Sequence, residues 1–237
     1  MNGGVPAASR SEQIRSGLDA VRARVRRACE QHGRPESAVT LVVVTKTHPP
    51  ADVRILAGLG VRDVGENRDQ EAAPKAAACA DLGLRWHFIG RLQTNKCRSV
   101  ARYALLVHSV DRPALAPALA KGAEAAGRRL DCLIQVSLDG DPARGGVLLG
   151  ELPSLAAAVA GQQALRLRGL MAVAPLGADP STAFAPLPDL LAGLRGDHPH
   201  ADILSAGMSA DLEAALACGA THLRVGSAVL GLRPSLR

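Results

Sequence analysis

The stretch LSAGMSADLEAALACGATHLRVGSAVLG, Leu204 to Gly231, passes twice from an apolar run through a Gly/Ser loop into a helical segment. The two apolar runs, Ala201 to Ala206 and Thr221 to Val225, close a series of eight that also includes Val39 to Thr45, Val61 to Gly65, Arg85 to Ile89, Ala104 to Val110, Leu130 to Leu138 and Leu167 to Ala174. Strands that alternate with helices are parallel and joined by crossovers. Eight such units in 237 residues match an α/β fold of the closed (β/α)8 TIM barrel type better than an open doubly wound sheet. An additional helix precedes the first run, and SRSE, Ser9 to Glu12, has the spacing of a capping box at its start. Without a linker or a repeat of fixed sequence, the reading is a flexible tail over 1–9 and a single barrel domain over 10–237. The Pro/Gly-rich stretch Ser137 to Val147 reads as a surface loop after the fifth strand.

The composition fits that reading. Hydrophobic residues make up 47% of the chain, enough for a well-buried core. No run approaches the roughly 18 apolar residues of a membrane span, and the N-terminal residues lack a basic segment followed by an apolar one, so a cytoplasmic protein with no membrane contact is expected. The five cysteines, Cys29, Cys79, Cys97, Cys132 and Cys218, form no close pair and no ligand cluster, which argues for reduced thiols and against a metal site. A net charge of +6 raises the question of nucleic acid. The basic residues are spread, however, and the one concentration, Arg22, Arg24, Arg26 and Arg27, falls on the solvent side of a helix whose apolar positions are Ile14, Leu18, Val21, Val25 and Ala28. With only Trp86 and three other aromatic residues for base stacking, no nucleic-acid partner is expected.

LVVVTKTHPP, Leu41 to Pro50, runs from an aliphatic strand directly into Lys46. One reading is that Lys46 snorkels into water from the strand end. The other is that it is a nucleophile, because an amine held where its charge is disfavoured forms Schiff bases with aldehydes. Functional groups of such barrels stand at the carboxyl ends of strands, where Lys46 lies. By alternation, Val42 and Val44 then share its inward face, while Val43 faces the helices.

Barrels of this kind also bind phosphate at the loops after strands seven and eight. Gly207 with Ser209, and Gly226 with Ser227, each place a glycine and then a serine at the mouth of a helix, where backbone amides and a hydroxyl meet an anion. Ser209 has a plainer reading as an N-cap, with Asp211 and Glu213 in the first helical turn. If the anion is there, Asp211 must turn away from it or cap its own helix. Arg224 shares a strand face with His222; pointing inward, it offers only donors to a heteroaromatic ring nitrogen, which then stays unprotonated.

These features, with GENRDQE (Gly65 to Glu71), WHFIGRLQTNK (Trp86 to Lys96), HSVDR (His108 to Arg112), GLMAVAP (Gly169 to Pro175) and the opening stretch, resemble the pyridoxal 5'-phosphate (PLP) homeostasis proteins, the YggS/PROSC family, and more distantly the N-terminal barrel domain of alanine racemase. The likeness covers almost everything from Leu41 onward. It implies that PLP is the cofactor, that Lys46 carries it as an internal aldimine, that Ser209, Gly226 and Ser227 hold its phosphate, and that Arg224 faces the ring nitrogen. Asn67, His87, Met171 and Met208 would line the ring or its entrance; core packing is the plainer reading for His87 and the two methionines. Arg68 and Asp69 replace an aromatic and an aliphatic residue common in the family, and Arg144 stands where many members carry lysine.

The function so implied is PLP binding in the homeostasis of PLP and amino acids by a monomer whose clients are PLP-dependent enzymes. No catalytic residue is expected. An arginine facing the ring weakens the electron sink, and racemases with this barrel add a tyrosine base from a second domain, for which the residues after Gly231 leave no room. The only tyrosine, Tyr103, falls on the helix side before strand four. A slow racemase and a Schiff-base aldolase acting on a sugar phosphate are the alternatives.

Overall fold

The structure, a computed structural model, describes residues 8–141 and 144–231. Residues 1–7, most of the expected tail, and part of the Ser137 to Val147 loop lie outside the described residues, and Ser9 is already a helix cap. In chain order the elements are α1 (Arg10–Gln31), β1 (Thr40–Val44), α2 (Pro50–Gly58), β2 (Asp63–Glu66), α3 (Asp69–Ala78), β3 (Arg85–Phe88), α4 (Cys97–Tyr103), β4 (Ala104–Val110) and α5 (Leu115–Ala125). They continue with β5 (Leu130–Gln135), α6 (Leu152–Ala160), β6 (Leu165–Met171), α7 (Pro180–Phe184), α8 (Leu187–Asp197), β7 (Ile203–Ser205), α9 (Leu212–Ala217), β8 (His222–Val225) and α10 (Ser227–Leu230). The eight strands pair in order, all parallel, and β8 closes on β1 from Thr40 opposite His222 to Val43 opposite Val225. This is the (β/α)8 barrel that the alternation of runs implies.

Most of the core is the layer between strands and helices, to which Val43, Val64, Val107 and Leu204 contribute from the barrel. The barrel's own interior is smaller and more polar: Leu106, Leu133 and Met171 form an apolar layer, with His87, His108, Ser205 and Arg224 buried among the strands. Val42 and Val44 lie against Gly65, opposite in facing to Val43, as alternation requires.

Helix α1 begins with the capping box, in which Ser9 Oγ accepts from the Glu12 amide and Glu12 accepts from the Ser9 amide. Its buried side is Ile14, Leu18, Val21, Val25 and Ala28. The arginines of this helix differ from the solvent-side expectation in one case. Arg24 reaches the β7 loop, forming a fork with the Glu213 carboxylate at 2.7 Å and donating to the Ser209 carbonyl at 2.9 Å. That contact ties the N-terminal helix to the mouth of the barrel.

Several strands are shorter than their apolar runs. β1 stops at Val44, β5 at Gln135 and β6 at Met171, although the amide of the next residue in each case, Thr45, Val136 and Ala172, still donates to the neighbouring strand. Lys46 therefore stands in a turn two residues past β1. No described helix is long and apolar enough to cross a membrane.

Candidate functional site

A cavity of about 630 Å³ opens at the carboxyl rim, within the size range of small-molecule sites. Its wall brings together Lys46, Met208, Ser209, Arg224, Gly226 and Ser227, six residues drawn from the far ends of β1, β7 and β8. Val44, His48 and Ile89 complete much of the remainder.

The turn that carries Lys46 is fixed from several sides. Thr47 has a left-handed backbone (φ 68°), and its amide donates to Glu71 Oε2 at 3.0 Å. His48 is buried beside Asp52, which also takes a fork of hydrogen bonds from Arg10. Burial holds the His48 imidazole below its ordinary range, although Asp52 pulls the other way. Beneath Thr45, Glu66 Oε1 accepts from Thr45 Oγ1 and from Lys75 Nζ, both at 2.6 Å, and Lys75 also donates to the Thr45 carbonyl at 2.8 Å. Burial raises the Glu66 carboxyl above the usual range despite those donors.

Arg224 is 4% exposed, so the direction of each nitrogen matters. Nη1 donates to Ser205 Oγ at 2.6 Å and Nη2 to the Ala172 carbonyl at 2.9 Å. Nε makes no hydrogen bond among the described residues, while the side chain lines the cavity. Burial lowers its pKa to about 10, which still leaves it charged at neutral pH. The guanidinium is thus anchored through one N–H on each terminal nitrogen, and Nε–H is among the three donors it retains.

At the opposite wall the two serine loops meet. Ser227 Oγ and Ser209 Oγ lie 3.3 Å apart, and Ser209 Oγ accepts from the Ala228 amide. The plainer reading of Ser209 as an N-cap does not hold: Asp211 occupies the cap position of α9, and its carboxylate accepts from the Met208 amide within the same loop. Asp211 is thereby directed into its own loop and is absent from the cavity wall, as an anion site requires. Two glycines permit the close approach of these loops. Gly207 has φ 89° and its Cβ would stand 2.6 Å from Ala215 Cβ; a Cβ on Gly226 would press on Val44 O at 3.2 Å.

The other expected residues lie elsewhere. Asn67 lines a neighbouring cavity of about 430 Å³ with Arg68, Phe88 and Arg91. Met171 packs with Leu106 and Leu133 inside the barrel. His87 is 2% exposed and bonded to His108 and Asp63, the placement of a packed core histidine. Tyr103 donates to Asp69 from the end of α4. Conversely, His48 lines the cavity without having been marked by its sequence context, THPP, which signals a turn and nothing about where the ring goes.

His222 packs against His87 and His108 with ring centroids 6.1 and 6.3 Å away, and burial first, then His87, lowers its pKa to about 4. Between that value and the ordinary 6.5, the unfolded chain binds a proton that the folded one refuses. Stability is therefore expected to fall as pH drops through 6.5 and to stop falling on this account near 4, with a change on the order of 3 kcal/mol. Denaturant melts of wild type and His222→Asn across this window check it: the variant should show a shallower pH slope.

A model of the family described as "Alanine racemase, N-terminal domain" matches residues 17–234. The pyridoxal phosphate homeostasis protein of Corynebacterium glutamicum is 45% identical over 221 residues, covering 90% of this chain and 99% of the relative. That of Pseudomonas aeruginosa is 44% identical, covering 93% and 96%. Among solved structures, PipY of Synechococcus elongatus with PLP bound is 37% identical with a TM-score of 0.79, covering 92% of this chain and all (100%) of that one. Alanine racemase from Corynebacterium glutamicum, 16% identical with a TM-score of 0.67, covers 95% of this chain and 62% of its own, and shares the fold.

Proposed function

We propose, from the premise that this chain belongs to the pyridoxal phosphate homeostasis proteins within the alanine racemase N-terminal domain family, that its barrel mouth is a PLP-holding site with Lys46 as the covalent anchor. The observation that carries the reading is the convergence of an amine, a donor-only guanidinium and a paired-serine cradle on one cavity. When bound, PLP supplies an aldehyde that condenses with a primary amine and a ring that withdraws electrons.

The residues present fit that group. Lys46 offers the amine and holds the ligand as a Schiff base. Ser209, Gly226 and Ser227 take the phosphate on hydroxyls and close backbone. Neither loop contains a lysine, so the anion is met by neutral donors. Arg224 Nε would face the ring nitrogen and, having no lone pair with which to accept a hydrogen bond, would leave it unprotonated. Met208, partly exposed on the wall, covers the entrance.

The arrangement supports holding over turnover. Besides Lys46, the cavity wall presents one further base among the described residues, His48, whose Nδ1 lies within hydrogen-bond distance of Asp52 and Arg10. Ser227→Ala is expected to weaken PLP binding by about 1.5 to 3 kcal/mol, roughly 10- to 100-fold in Kd, the worth of one hydrogen bond to a charged group. Spectral titration of the purified protein with PLP measures it, and unchanged affinity removes this serine from the site.

A further inference from the structure

Arg224 raises a problem of orientation. It is a buried cation on which the Asp211 carboxylate acts only through space, and its terminal nitrogens end on a serine hydroxyl and a backbone carbonyl, both neutral. The hydroxyl, however, begins a continuous chain through the barrel interior. Ser205 Oγ lies 2.8 Å from His108 Nδ1; His108 Nε2 lies 2.9 Å from His87 Nδ1; His87 Nε2 lies 3.0 Å from Asp63 Oδ1. Asp63 opens β2 at the amino-terminal rim, where Arg85 donates to its other oxygen.

The two ends fix the outer links, and a single proton on His87 fixes the rest. Guanidinium only donates, so Ser205 Oγ accepts from Arg224. An ionised carboxylate only accepts, so His87 carries its proton on Nε2. A neutral His87 then accepts at Nδ1, which requires His108 to donate from Nε2 and to accept at Nδ1, and the Ser205 proton goes there. Each proton and lone pair along the line is used once, and no second buried cation is needed. His87, His108 and Ser205 are all buried, so water does not interrupt the series.

We propose that Asp63 is a positioning residue for Arg224, acting through a one-way hydrogen-bond relay of His87, His108 and Ser205. The relay holds Nη1 on the barrel axis side and so presents Nε to the cavity. Burial, with His87 and Arg224 nearby, keeps His108 well below the ordinary imidazole range, in keeping with a neutral link. At Asp63, burial raises the carboxyl, but hydrogen bonds from His87 and Arg85 outweigh it and hold the group ionised. His222 leans on both relay rings while its own Nδ1 bonds with Thr221 Oγ1 at 3.0 Å, outside the line.

The consequence for the ligand rests on the PLP-holding reading above; the relay itself does not. The test is long-range proton–nitrogen NMR of the imidazoles in the full-length, ¹⁵N-labelled protein without added PLP. His87 and His108 are expected to be neutral, with the proton on Nε2 in both. In Asp63→Asn, Arg85 keeps the amide oxygen and the amide nitrogen turns to His87, which must then accept. His87 and His108 should exchange their protonated and unprotonated nitrogen signals, and the Arg224 Nε signal should shift although Asn at 63 touches neither His108 nor Arg224. Adding Ser205→Ala should remove the Arg224 response. A wild-type His108 protonated on Nδ1, or an Arg224 signal unmoved by Asp63→Asn, overturns the relay. So does an Arg224 shift that survives the Ser205→Ala cut. Addition of PLP to wild type is the separate arm: an unmoved Arg224 Nε signal there refutes the binding reading and leaves the relay standing.

Discussion

Lys46→Ala is expected to lose the visible absorbance band that PLP acquires on the wild-type protein, with PLP remaining in its free-aldehyde spectrum at any concentration the cradle can bind. The chain has four lysines, Lys46, Lys75, Lys96 and Lys121, and among the described residues only Lys46 lines the cavity. Lys75 is 6% exposed and committed to Glu66 and the Thr45 carbonyl, so it cannot substitute. Lys96 belongs to the neighbouring cavity. The turn around Lys46 is held by the Glu71 contact to Thr47 and by His48 with Asp52, which means the truncation removes the amine and leaves its frame. Residual binding through Ser209, Ser227 and Arg224 should persist with much reduced affinity, measured by equilibrium dialysis beside the spectra.

Lys75→Met should be the most damaging substitution for stability, by about 3 to 5 kcal/mol, because it strips the counter-charge from a carboxylate buried to 0% exposure. Glu66 Oε2 already lacks a hydrogen-bond partner among the described residues, so the loss of Lys75 leaves only Thr45 Oγ1 on the other oxygen. The pH dependence has a definite sign. The folded-state pKa of Glu66 lies above its ordinary value through burial, and without Lys75 it rises further. A raised carboxyl favours the fold at low pH and loses that contribution as pH climbs through the folded value. The deficit of Lys75→Met should therefore be largest at neutral and alkaline pH and shrink on acidification. Urea midpoints at several pH values, with unchanged m-values, are the measurement; a deficit that is flat in pH contradicts the charge account.

The barrel was legible because its signals are local: each apolar run ends in a loop whose glycines, prolines and serines stand next to it in sequence. Lys46, Ser209, Gly226, Ser227 and Arg224 were legible for the same reason, since a strand end or helix mouth can be located from its neighbours. The carboxyl rim blurred the strand ends, because Thr45 and Val136 each make one last hydrogen bond to the neighbouring strand beyond the regular ladder. Ser209 is instructive in the other direction. Its position before an acidic helix suits an N-cap, but the loop takes two more residues and gives that position to Asp211. What sequence spacing cannot show is which side chains meet across the barrel. His87, His108, Ser205 and Asp63 come from four different strands, and their alignment follows from the barrel's register and not from any motif.

The most direct test of PLP held on Lys46 is borohydride reduction of the PLP-loaded wild-type protein, followed by proteolysis and mass mapping of the pyridoxyl-modified peptide. The account predicts a single modified site, Lys46, with the modification absent when reductant is omitted and competed away by excess unlabelled amine. A pyridoxyl group found on Lys75, Lys96 or Lys121 with Lys46 unmodified, or no trapped adduct at all from a loaded sample, would contradict it.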